Sequence, residues 1–173
     1  MKPLNKPAEF FEKYNEKPKK LFEYGAKIQA LQDKYLKIII DLVGEFCDVF
    51  PIGSVVYKIP AGDVEIAVCP KDGQFTKVIE ILRKEFGDPE TEKPEFVKFQ
   101  IETEEYEVSI NVYQGYEAMF CKNFTKYMLD HKDLIKEYKA IKEKYCFSKR
   151  EYQKQKYLFY DKIIIDIPED YAK

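Results

Sequence analysis

Tryptophan is absent from this 173-residue chain, and histidine occurs once, as His131. A lone histidine excludes a multi-histidine zinc site and any histidine proton relay. Arginine is almost missing as well: Arg83 and Arg150 are the two arginines among 29 basic residues. Bidentate arginine clusters on phosphate are therefore not available, and lysine has to supply any anion recognition. No apolar run approaches the ~20 residues of a membrane-spanning helix, so no membrane partner is expected. The amino-terminal stretch also lacks the charged-then-apolar order of a secretory leader. Cys47, Cys69, Cys121 and Cys146 are scattered, with no pair at metal-ligand spacing. Without a leader they read as reduced, mostly buried thiols of a cytoplasmic protein. The net charge is −2, which gives no global field to recruit nucleic acid, and a nucleic-acid partner is not expected.

What is present is ordinary in amount and uneven in placement. Hydrophobic residues make 45% and charged residues 35% of the chain, the balance of a globular protein large enough for a real core. One domain over residues 1–173 is expected. Residues 1–24 form an amino-terminal arm broken by Pro3, Pro7 and Pro18, residues 25–113 an αβ core, and residues 114–167 a helical half. Acids outnumber bases over residues 80–117, and bases outnumber acids over 122–162. Two solvated faces would account for that, as would a basic helical wall suited to a phosphorylated substrate.

Hydrophobic periodicity sets the elements. Ile28, Leu31, Tyr35, Ile38, Ile39, Leu42 and Phe46 recur at steps of three and four and predict a helix over 26–46. Val49–Tyr57 and Asp63–Cys69 read as two short strands, followed by a helix over about 74–86 that Gly87 and Pro89 end. Alternation over 95–113 predicts a β-hairpin. From Gly115 onward three helices are expected, over 116–129, about 132–145 with Asp130 as its cap, and about 149–165. The last opens on the capping-box pattern Ser148-Lys149-Arg150-Glu151. The fold class is α+β: a small mixed β-sheet with packed helices.

The segment Gly53-Ser54-Val55-Val56-Tyr57-Lys58-Ile59-Pro60-Ala61-Gly62-Asp63-Val64-Glu65-Ile66 carries the chemistry. A Gly-Ser turn lets backbone amides approach a phosphate, with the Ser54 hydroxyl as a further donor. Asp63 and Glu65 lie two apart, so on a strand they share a face. Hard oxygen ligands suit Mg²⁺, and a divalent cation lets two neighbouring carboxylates both stay ionised. An exposed polar strand face is the plainer alternative. Nucleotidyl transfer also wants a base for the attacking hydroxyl. By strand parity Glu107 is the candidate, with Ser109 and Asn111 on its face. Tyr138 and Lys142 are four apart on one helix, as are Tyr152 and Lys156 on the next. They are either half-buried amphipathic surfaces or an anion-binding set. His131, at a helix junction, reads as a structural hydrogen-bonder.

Phe124, Tyr127, Met128, His131, Tyr138, Ile141 and Lys142 resemble the GrpB-family pattern Phe-Arg-Asp-Tyr-Leu-x-x-His-Pro followed by Tyr-x-x-Leu-Lys. Tyr152 and Lys156 resemble its Tyr-x-x-x-Lys. Ile52-Gly53-Ser54 and Ile59-Pro60-Ala61-Gly62 are similar to its Gly-Ser turn and Pro-Gly-rich loop. The resemblance covers roughly residues 24–165. Thr125 and Lys126 stand where the family has Arg-Asp, and Lys132 where it has Pro. It implies a nucleotidyltransferase-like core with carboxy-terminal helices. The expected activity is Mg²⁺-dependent transfer of a nucleotidyl group from a nucleoside triphosphate to a small acceptor. The alternatives are a catalytically silent nucleotide-binding or interaction module on the same fold and, more remotely, a toxin or antitoxin partner. The site would use Asp63 and Glu65 as metal ligands, with Glu107 completing the catalytic set. Gly53, Ser54, Tyr138, Lys142, Tyr152 and Lys156 would bind nucleotide and phosphate.

Overall fold

A computed structural model describes residues 1–172 of the chain. They divide into two units: residues 23–121, and residues 1–22 together with those from 122 onward.

In the first unit, α1 (Ala26–Val43) presents its apolar stripe to a five-stranded mixed sheet. The helix ends three residues earlier than its periodicity predicts. Gly44 and Phe46 make its last turn, and Cys47 starts a strand. That strand, β1 (Cys47–Ile52), runs into a single helical turn, α2 (Gly53–Val56). The sequence predicts strand throughout 49–57, because β-branched Val55 and Val56 mimic one. The turn instead buries Val55 in the core. β2 (Val64–Pro70) follows, then α3 (Phe75–Phe86), which Gly87 closes at φ 82°.

The predicted hairpin is β4 (Phe96–Glu102) and β5 (Glu107–Tyr113), joined through Thr103, whose Oγ1 donates to the Tyr106 carbonyl and accepts the Tyr106 N–H. A short edge strand, β3 (Thr91–Lys93), pairs with β4. Three residues, two of them charged, carry no periodic signal, and such a strand blunts the sheet edge. The strand order is β1-β2-β5-β4-β3, antiparallel except for the β2–β5 pair at its centre. A parallel pair needs a long crossover, and α3 with the β3–β4 segment supplies it. Val64, Ile66 and Val68 on β2 and Val108, Ile110 and Val112 on β5 turn to one side and form the centre of the core.

In the second unit, the helix α4 (Gly115–Asp130), which begins in the first unit, is followed by α5 (Lys132–Tyr145) and α6 (Lys149–Ile164). α5 and α6 run antiparallel. Glu137 bonds Lys162 near one end, and Lys142 lies against Tyr152 near the other. Ser148 caps α6 as its pattern predicts, accepting the Glu151 N–H at 3.2 Å. Asp130 does not cap α5. His131 is the N-cap, and the Asp130 carboxylate instead accepts Lys126 and the Tyr171 hydroxyl. Those donors, Lys126 first, hold it below its usual range.

The amino-terminal arm belongs with these helices. Arg150 binds Glu16 at 2.6 Å and donates to the Tyr14 carbonyl, and Phe10 and Phe11 meet the Tyr157 ring. Three more ties are main-chain bonds: Lys19 N–H to the Cys146 carbonyl, Lys149 N–H to the Lys17 carbonyl and Arg150 N–H to the Asn15 carbonyl. Among the described residues no helix is long and apolar enough to cross a membrane.

Cys47, Cys69 and Cys121 are buried and Cys146 is half-buried. Burial pushes the Cys47 thiol up to about 11, and that thiol donates to the Val43 carbonyl. Thiolate is the reactive form. At pH 8 the folded protein is expected to be alkylated first at Cys146 and to leave Cys47 unmodified until unfolded, as read by peptide mass spectrometry.

Candidate functional site

Strand alternation sends a second set of side chains to the side of the sheet away from the main core, where Ala67 packs with Ile52 and Cys121 and polar residues lie beside them. Glu65 sits on β2 between core residues Val64 and Ile66, and Ser109 on β5 between Val108 and Ile110. The parallel register pairs Glu65 with Ser109, so the two side chains emerge side by side. Asp63, just before β2, accepts the Ser109 hydroxyl on its Oδ2 at 3.1 Å. The two carboxylates are therefore on Ser109's side of the sheet, as their spacing predicts. Ser109 is 1% exposed and Asn111, on the same face, 5%.

Next on β4 is Gln100, the cross-strand partner of Ser109. Its Oε1 lies 2.8 Å from Ser109 Oγ, and its Nε2 donates to Glu107 Oε2 at 3.0 Å. Glu107 is exposed at the hairpin end, engaged by Gln100. Among the described residues no three His, Cys, Asp or Glu side chains gather into a metal-holding group. The side chain that joins Asp63 and Glu65 from the neighbouring strand is Ser109.

Gly53 abuts this face. Ile52 pairs with Glu65 in the β1–β2 ladder, and the next residue, Gly53, turns into α2 at φ 71°. A Cβ there would lie 2.1 Å from Glu65 Oε2. The Glu65 carboxylate thus occupies the space that only a glycine leaves. Ser54 is buried, at 4% exposure.

The donors fit a hard divalent cation in kind: two carboxylates, a hydroxyl and an amide oxygen. They differ from a three-carboxylate set in charge.

Tyr138, Lys142, Tyr152 and Lys156 come together within the helical unit, as their spacing predicts. The Tyr138 and Tyr152 hydroxyls share a buried hydrogen bond of 2.9 Å. Lys142 is buried at 2% exposure, its Nζ 5.3 and 5.5 Å from the two tyrosine ring centres, in cation–π range. Lys156 is half-buried, with Nζ 5.3 Å from the Tyr160 ring, and Lys19 of the arm lies 5.7 Å from the Tyr152 ring. Burial, first of several causes, holds the Tyr138 hydroxyl well above the usual tyrosine range. Lys142 is a core side chain because it follows Tyr138 by one turn on the face that α6 covers. His131 Nδ1 donates to the Tyr127 carbonyl at 2.8 Å, and its ring stacks on Tyr127, a structural role.

No family profile matches this sequence, and no curated protein matches it. Solved structures do. A GLD-2/RNP-8 complex aligns over 78% of this chain at 8% identity and TM-score 0.46. A cytoplasmic RNA terminal U-transferase aligns over 78% at 10% and 0.47, and the Cid1 poly(U) polymerase with Mg and 3'-dATP over 78% at 11% and 0.49. The alignments take in 56%, 42% and 44% of those longer chains, so this chain spans about half the length of the structures it resembles.

Two substitutions test the geometry. Gly53→Ala places a side chain at positive φ and against the Glu65 carboxylate. The left-handed conformation alone costs about 1–2 kcal/mol, and thermal denaturation should show a larger loss than that. Tyr138→Phe removes the hydrogen bond between the Tyr138 and Tyr152 hydroxyls, at about 0.5–1.5 kcal/mol. In a double-mutant cycle with Tyr152→Phe the second change should cost much less than the first.

Proposed function

We propose that this chain is a nucleotidyltransferase-fold protein, kin to the GrpB proteins. On this reading it binds a nucleoside triphosphate and Mg²⁺ at Gly53, Asp63 and Glu65. The observation that carries this reading is the packing of the Glu65 carboxylate against the side-chain-free Gly53 turn, with Asp63 held beside it by Ser109. A glycine backbone beside two carboxylates would suit a phosphate and the divalent cation that accompanies it. The proposed reaction is attack by a hydroxyl of a small cytoplasmic acceptor on the α-phosphorus. A new P–O bond forms, the bond to the β-phosphate oxygen breaks, and pyrophosphate leaves. The cation would neutralise charge on the transferring group. Asp63 and Glu65 would hold it, and the Gly53 backbone would admit the phosphates beside Ser54. Lys156, half-buried with its Nζ over the Tyr160 ring, is the anion-binding candidate of the helical unit; Lys142, Tyr138 and Tyr152 are buried in its core.

One observation favours the second reading, a nucleotide-binding module without turnover. The neighbour of both acids on β5 is Ser109, not a carboxylate, and Glu107 is engaged by Gln100. A serine beside a carboxylate is a weaker base for the acceptor hydroxyl.

Calorimetric titration with each nucleoside triphosphate, with and without Mg²⁺, tests binding. The wild type should bind only with Mg²⁺, and Asp63→Asn with Glu65→Gln should lose that binding while keeping or raising thermal stability, since like charges leave one face. Equal binding by the double variant would show that the two acids take no part in holding nucleotide. Incubation with an α-labelled triphosphate and hydroxyl acceptors separates the readings: label on the acceptor supports transfer, and tight binding without transfer supports the module.

A further inference from the structure

The hydrogen bonds around Ser109 hold one proton too few. Its hydroxyl has a single proton and two acceptors, Asp63 Oδ2 at 3.1 Å and Gln100 Oε1 at 2.8 Å. An amide oxygen and a carboxylate oxygen accept but do not donate. Turning the Gln100 amide over would supply a donor to Ser109. It would also set the amide oxygen against the Glu107 carboxylate in place of the present 3.0 Å Nε2 bond. Glu107 thus fixes the Gln100 oxygen toward Ser109. Whichever acceptor the Ser109 proton serves, one oxygen pair near 3 Å is left without a proton between them, at a residue 1% exposed. Unmade bonds at such a burial are expensive.

Resting on the cation-binding reading above, we propose that Ser109 is the neutral third oxygen ligand of the Asp63/Glu65 cation site, with Gln100 and Glu107 as positioning residues. The Ser109 proton is committed to Gln100, at the shorter of its two distances. Its lone pairs then turn toward Asp63 and Glu65, where a divalent cation shares them and removes the oxygen–oxygen repulsion. The chain of command runs along one line of the polar face: Glu107 orients Gln100, Gln100 takes the hydroxyl proton, and Ser109 offers an oxygen. This assigns Glu107 a task other than that of a base or ligand. It also leaves the protein ligands with two negative charges, which one divalent cation balances.

Mn²⁺ titration followed by electron paramagnetic resonance, with the full chain and no nucleotide, tests the assignment. Ser109→Ala should weaken Mn²⁺ binding. Gln100→Leu, which frees the serine proton to bond Asp63, should weaken it by about 10–100-fold, the usual effect of losing a residue that orients a ligand. Ser109→Cys should shift preference from Mn²⁺ toward Zn²⁺ relative to wild type, because a sulfur ligand favours the softer ion. A purely structural serine would not move that ratio. Mn²⁺ binding that is lost in the Asp63→Asn/Glu65→Gln variant but unchanged in all three of these would overturn the role of Ser109 and leave the cation site standing. Absence of Mn²⁺ binding in the folded wild type would overturn both.

Discussion

The parallel register between β2 and β5 is the constraint on which the rest depends. It sets Val64, Ile66 and Val68 beside Val108, Ile110 and Val112 at the centre of the core. The same register sets Glu65 beside Ser109 on the opposite face. Because side chains alternate with a period of two, a slip of one residue would drive Glu65 and Ser109 inward and the valines outward. Stability of the core and placement of the polar site are therefore one choice. A substitution that perturbs the register would cost both.

On the polar face the close approach of Glu65 to Gly53 depends on a second ladder. β1 pairs Ile52 with Glu65, and Gly53 follows at a positive φ. The carboxylate fills the volume of the missing side chain. Glycine loses more chain entropy on folding than other residues, yet another residue here would displace the Glu65 carboxylate.

Much of this was legible in the residues. Apolar steps of three and four located α1, α3 and α5, and alternation located the hairpin. Spacing alone put Asp63 and Glu65 on one face. Ser148 announced the start of α6. Other features were hidden for physical reasons. The one-turn α2 lies within a β-branched stretch, and its reversal depends on the φ of Gly53, which sequence does not display. Charged, three-residue β3 has too little length to show a period. The arm is tied largely by main-chain bonds and by Arg150, and such bonds carry no side-chain pattern. Glu107 drew attention as the nearest acid of the right parity. Parity states the face but not the rung, and the rung belongs to Ser109. The signal that could have found Ser109 is the hairpin itself: pairing Glu102 with Glu107 across a four-residue turn puts Gln100 opposite Ser109.

The central claim is that this polar face recognises a nucleotide through a divalent cation. The most direct measurement is the thermal unfolding of the wild-type chain with each nucleoside triphosphate, with and without Mg²⁺. A ligand at 100 times its dissociation constant should stabilise the protein by about 2.7 kcal/mol. The account predicts a rise in the midpoint when nucleotide and Mg²⁺ are present together and little change with either alone. No rise with any triphosphate in the presence of Mg²⁺, or an equal rise without the cation, would contradict it.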